Sequence, residues 1–157
     1  MFLLAMSCCC VLAIGQTCEK GDGFYNLGQY DSAIGAYETC LEQSASDVEL
    51  LSKIDNAEKC MSMLTEANYA EQYKDYIKAL DLYTQLYALH PLDKYESKCA
   101  ELQKLADMQQ MEIDKETREI YANGLGCYQC DQLDRAEYYL YHASNKGNVE
   151  ALYYLGE

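Results

Sequence analysis

Apolar side chains recur along this chain at spacings of three and four, the period of a helix with one buried face. Three stretches carry one arrangement. A small residue (Gly21, Ala67, Gly124) stands twelve positions before a second small residue (Ala33, Ala79, Ala136). A large side chain lies three before the second (Tyr30, Tyr76, Leu133), and an apolar one four after it (Tyr37, Tyr83, Leu140). Small residues on facing helices let two axes approach closely. A large residue just before the second helix plugs the end of the pair, and the residue one turn beyond the Ala fills the groove on the same face. The pattern therefore predicts three antiparallel helical hairpins. Gly28-Gln29 and Lys74-Asp75 supply the turns of the first two.

The hairpins are not evenly spaced: Ala33 and Ala79 are 46 residues apart, Ala79 and Ala136 are 57 apart. The intervening residues, about 48–59 and 94–116, are rich in Glu, Lys, Leu and Met and hold no Gly or Pro, so they too read as helix. Val48, Leu51, Ile54/Asp55 and Glu58 form an apolar stripe that fades. Tyr95, Cys99, Leu102, Leu105/Ala106 and Met108 carry a stripe at helical spacing. Asp47 and Asp93 are candidate N-caps. Long helices are expected to join the hairpins.

The pattern resembles the tetratricopeptide (TPR) repeat, a helix–turn–helix unit of about 34 residues. The best-matching segment is Asn26-Leu27-Gly28-Gln29-Tyr30-Asp31-Ser32-Ala33-Ile34-Gly35-Ala36-Tyr37, and Pro91 falls where the pattern places its terminal Pro. Ala136-Glu137-Tyr138-Tyr139, Ala143, Gly147-Asn148-Val149-Glu150-Ala151 and Leu155-Gly156 are similar to the related Sel1-like repeat, although the connector Cys130-Asp131-Gln132 is shorter than that family's loop. The resemblance implies an all-α, right-handed α-solenoid. Residues 16–93 would hold two TPR-like units with a helical insertion, 94–116 a connecting helix, and 117–157 a Sel1-like unit with the start of a further helix. It also implies a concave groove lined by the first helix of each unit. In this sequence those positions include Tyr25 and Asn26; Asn68, Glu71 and Gln72; and Tyr121, Tyr128 and Gln129. By the same frame Tyr30, Tyr37, Tyr73, Tyr76, Tyr83 and Tyr139 belong to hairpin cores, and Cys127 lies on the core face. The last residues, Asn148 to Glu157, are too apolar for a polar capping element, which predicts a covering partner, self-association at that end, or a longer reading frame.

Composition narrows the rest. In 157 residues there are 20 Leu, 16 Ala, 16 Tyr, one Pro and only 14 Val, Ile and Thr together, which excludes an all-β fold. Twelve basic residues against 26 acidic ones leave a net charge of −14, so nucleic acid and anionic membrane surfaces are poor partners and a basic or neutral protein or peptide a good one. Phe2 to Ile14 is apolar and uncharged, too short to span a bilayer but suited to a signal peptide over residues 1–15, with Ala13 and Gly15 small before a cut at Gln16. No Lys or Arg precedes the run. Cys8 sits behind a poor lipobox, so a lipid anchor is the lesser alternative. An exported chain, periplasmic or extracellular and without a transmembrane segment, keeps six of the nine Cys. Cys18 and Cys40 lie eleven residues either side of Gln29, at the open end of one hairpin, where antiparallel helices bring them to similar heights, and are a candidate disulfide that would pin that hairpin.

Cys127-Tyr128-Gln129-Cys130 is the one redox-like or metal-like motif. A zinc site takes two such pairs, or one with two His, and His90 and His142 lie in different helices. Buried apolar thiols or a structural disulfide are the preferred reading, and a redox or metal-binding protein using this pair is the alternative. There is no Gly-rich phosphate loop, HExxH or GxSxG. No catalysis, metal or cofactor is expected. The expected function is a non-catalytic protein–protein interaction module binding a partner in its groove, with a structural subunit of a larger envelope or signalling complex as the other alternative.

Overall fold

The computed structural model describes residues 18–42 and 47–156. The expected leader and Cys8 lie outside the described residues. Among the described residues every regular element is helical: α1 (18–26), α2 (Tyr30–Leu41), α3 (Val48–Gln72), α4 (Tyr76–Leu89), α5 (Asp93–Gln129), α6 (Leu133–Asn145) and α7 (Val149–Leu155). The chain is all-α. It divides into two compact units, one ending at Gln103 and the other starting at Lys104, within α5.

Four of the connections end a helix in one way, and three of them are the hairpin turns; the fourth, with Gly147 left-handed and Asn148 N–H donating to the Ala143 carbonyl at 2.9 Å, joins α6 to α7. Gly28, Lys74 and Asp131 all take the left-handed conformation, with φ of 67°, 60° and 59°. In each turn the next residue's N–H reaches back to the carbonyl five residues earlier: Gln29 to Phe24, Asp75 to Ala70 and Gln132 to Cys127, at 2.9, 2.8 and 3.0 Å. These are Schellman ends, which satisfy the last carbonyls of one helix and reverse the chain into the next. The first two turns fall on the residue pairs expected from sequence.

The first unit holds two of these hairpins, α1–α2 and the C-terminal half of α3 with α4. Ala33, Ala67 and Ala79 are wholly buried. Gly21 is there for close approach: a Cβ on it would meet the Tyr37 ring at 2.5 Å. Cys18 and Cys40 are joined in a disulfide at the open end of the first hairpin. Asp47 caps α3 through bonds from the Glu49 and Leu50 N–H groups, while Asp93 is already the first helical residue of α5.

Several expectations about the buried faces are corrected here. The buried stripe at the start of α3 runs through Leu50, Ile54, Ala57 and Cys60 rather than Val48 and Leu51, which are exposed. Val48 is the first residue after its cap and faces out, and Leu50 is the residue that joins the Tyr37–Cys40 core. Tyr73 is exposed rather than core: it is the C-cap of α3 and lies on the outer face against Tyr69, 4.5 Å between ring centroids. Tyr30, Tyr37 and Tyr83 are buried, and Tyr76 and Tyr139 half-buried. The α5 stripe holds from Tyr95 through Leu102 to Ala106 and ends before Met108, which is exposed.

The second unit contains the end of α5 with α6 as the third hairpin, followed by α7. Its core is Ala136, Leu140, Ala143 and Ala151, with Ile120, Tyr121, Cys127, Tyr154 and Leu155 packed against it. Gly124 matches Gly21, since a Cβ there would meet Leu140 at 2.9 Å. Asn148 caps α7 by accepting from Ala151 N–H at 2.9 Å.

Candidate functional site

Each hairpin meets the helix that follows it, and the three junctions use corresponding positions. In the first, the Tyr37 hydroxyl donates to Asp22 Oδ1 at 2.8 Å, fifteen residues back along the chain. Lys53, the sixth residue of α3, donates to the same carboxylate at 2.9 Å. Burial alone would raise the Asp22 pKa, but the bonds from Lys53 and Tyr37 outweigh it and hold the carboxyl below its ordinary range. A small cavity of about 160 Å³ lies among Asp22, Tyr25, Tyr37, Lys53 and Asn56.

The second junction repeats the device. The Tyr83 hydroxyl donates to Asn68 Oδ1 at 2.7 Å, again fifteen residues back. Lys98, the sixth residue of α5, donates to Glu71 at 2.6 Å, and that bond raises the lysine's pKa.

The third junction has the same geometry and different chemistry. Leu140 stands where Tyr37 and Tyr83 stand, and Leu125 stands fifteen residues before it, so the hydroxyl bond of the other two junctions is missing at these positions, and the Tyr121 hydroxyl of α5 meets Glu150 and Tyr154 of α7 instead. Tyr154, the sixth residue of α7, replaces the lysine. Tyr128 replaces Glu71, and the two rings meet edge-on with centroids 5.4 Å apart. The result is an open groove of about 350 Å³ whose walls are Tyr128, Leu133, Leu140, Tyr154 and Leu155, with Glu137 as the charged member. Leu133 is 56% exposed at the mouth. An adjoining depression shares Leu133 and brings Asp131 and Asp134 to the rim, where Arg135 is held by Gln132 at 3.1 Å. On the other side Glu150 lies beside Tyr121, whose pKa is raised by desolvation and by that carboxylate.

The residues expected to line a groove are thus divided. Tyr25, Asn68 and Glu71 are engaged inside the first unit, Asn68 and Glu71 as above and Tyr25 in a stack on His90 with centroids 4.3 Å apart. Asn26, Gln72 and Gln129 are exposed, Tyr121 is half-buried, and Tyr128 forms a wall of the open groove. Leu133, Glu137, Tyr154 and Leu155 were not foreseen. The signal that finds Tyr154 is its place as the sixth residue of the helix after the hairpin, where Lys53 and Lys98 stand in the other two junctions.

A second cluster joins α1, α2 and the start of α5. Tyr95 donates to the Tyr30 hydroxyl at 3.0 Å, and Tyr30 meets His90 Nδ1 at 2.9 Å. With Tyr30 donating in turn, Nδ1 is the acceptor and the neutral imidazole carries its proton on Nε2. Burial, and then Lys94, lower the His90 pKa. Burial and the neighbouring Cys60 thiol push the Tyr25 phenol up to about 12. His90 is itself buried, so the cluster ties helices together and presents no accessible base.

Cys127 packs on the Ala136 core and Cys130 is exposed, both as free thiols. Among the described residues no three His, Cys, Asp or Glu side chains are grouped to hold a metal ion, and no helix is long and apolar enough to cross a membrane. No family model, curated protein or solved structure matches the chain.

Proposed function

We propose that this chain is a non-catalytic protein–protein interaction module, a repeat protein of the TPR and Sel1-like, right-handed solenoid kind, and that the groove of its third hairpin receives the partner. One observation carries the reading. Three equivalent junctions are built, two are bridged by a tyrosine hydroxyl and a lysine–acid contact, and at the corresponding positions of the third stand Leu140, Tyr128 and Tyr154, which leave a larger groove lined mainly by apolar and aromatic side chains. Tyrosine with aliphatic neighbours in a concave, desolvatable site is the composition of interface hot spots. Export is supported by the apolar run Phe2–Ile14 and by the Cys18–Cys40 disulfide, which suits an oxidising compartment.

A peptide library panned on the protein tests it, with Leu133→Asp as the counter-screen. Sequences retained by the parent and lost by that variant, at unchanged helical circular dichroism, support the groove. Sequences held equally by both contradict it.

A further inference from the structure

We propose that the occupant of the third-hairpin groove is a short amphipathic helix with a basic flank. This deepens the interaction reading and rests on it. The floor and walls are side chains of α5, α6 and α7, and the described residues contain no sheet edge whose backbone groups would pair with an extended peptide. Apolar anchors at helical spacing fit such a groove through side-chain packing alone. A volume of about 350 Å³ admits a few aliphatic side chains from one helix face, not a folded domain.

Charge selects the flank. Glu137 stands in the wall, Asp131 and Asp134 stand at the mouth beside Leu133, and Glu150 stands near Tyr154 through their shared neighbour Tyr121. Against these four carboxylates the lining of the mouth holds one cation, Arg135, which donates to the neutral Gln132 and keeps its charge, while Lys146 is paired with Glu116 at 2.9 Å. An apolar stripe bordered by Lys or Arg meets an apolar floor bordered by carboxylates. A second copy of this chain would bring its own acidic rim and a net charge of −14 to the same place.

The test is fluorescence anisotropy of a labelled helical Leu/Lys peptide, apolar at i, i+3, i+4 and i+7, titrated with the full chain. Its isomer with Glu in place of Lys is the comparison. The basic peptide is expected to bind about tenfold or more tighter than the acidic one, with affinity falling as salt rises. Glu137→Lys narrows or reverses that preference. Leu133→Asp abolishes binding although it adds a negative charge, which separates insertion in the groove from general attraction to an acidic protein. Equal binding of both peptides, abolished by Leu133→Asp, overturns the basic flank and leaves the groove reading standing. Absence of binding by either peptide, or binding indifferent to Leu133→Asp, overturns the groove reading itself. A concentration-dependent dimer in sedimentation that excludes the peptide assigns the groove to a second copy and overturns the proposal.

Discussion

The Tyr154 ring meets the Tyr128 ring edge-on, 5.4 Å between centroids, at the place where the second hairpin puts Lys98 against Glu71. The same backbone positions therefore hold an aromatic pair in one junction and an ion pair in another. Exchanging them is informative. Tyr128→Glu with Tyr154→Lys gives the third junction the polar closure of the second. Helical content is expected to stay within about 10% of the parent in circular dichroism, because exposed or half-exposed ion pairs contribute only about 0–1 kcal/mol. Affinity for the Leu/Lys helical peptide is expected to fall about tenfold or more, since the aromatic wall is lost. Unchanged affinity removes Tyr128 and Tyr154 from the binding surface.

The hairpin turns differ in their fitness for a common geometry. Gly28 occupies the left-handed region without penalty, whereas Lys74 and Asp131 carry a Cβ into it. Lys74→Gly is expected to raise stability by about 0.5–1 kcal/mol and Asp131→Gly by less, since Asp tolerates this region better. Gly28→Ala does the reverse by about 1–3 kcal/mol, as its Cβ would also press on the Lys94 side chain and on Leu92. Urea unfolding midpoints check all three. Destabilisation by Lys74→Gly would remove the strain from that turn.

Stability should fall in acid in two separate windows. His90 has a lowered pKa in the fold, from burial first and Lys94 second, so below about 6.5 the unfolded chain holds a proton that the folded one does not. The stabilisation of the neutral imidazole is complete above that value and is lost as pH falls from it toward the folded pKa. Asp22, held below its ordinary 3.8, stabilises above that value and loses its contribution as pH falls through its folded pKa. Urea denaturation at pH 7.5, 6.5 and 5.5 should show a decline that His90→Gln flattens. An identical decline in that variant would assign it to other groups.

The disulfide closes a loop between residues 22 positions apart in sequence. For a loop of this size the chain-entropy model gives a contribution of about 3 kcal/mol. Cys18→Ala is expected to lower stability by that order. The chain beginning at Gln16 should show four alkylatable thiols when unfolded without reductant, those of Cys60, Cys99, Cys127 and Cys130. Six would show that Cys18 and Cys40 are unlinked.

The hairpins were legible from sequence because their determinants are local. A pair of small residues twelve apart and a large residue one turn further on state the turn, the close approach and the buried face together. Gly21 under Tyr37 and Gly124 under Leu140 are that pattern in three dimensions. At the start of α3, Val48, Leu51 and Ile54 satisfy helical spacing as well as Leu50, Ile54 and Ala57 do. Only packing against Tyr37 and Cys40 on the neighbouring hairpin distinguishes them. The groove residues were partly hidden for a related reason. Tyr25, Asn68 and Glu71 look available when the first helix of a hairpin is considered alone, yet their partners His90, Tyr83 and Lys98 come from later helices. Long-range pairing of this kind has no signature in a local window.

Backbone hydrogen exchange read by mass spectrometry, with and without the Leu/Lys helical peptide, bears most directly on the third hairpin as the binding site. Peptide-dependent protection is expected within residues 124–140 and 149–156, with residues 18–42 and 60–90 unchanged. Protection over the Asp22–Lys53 or Asn68–Lys98 junction instead, with none in the third hairpin, would contradict it.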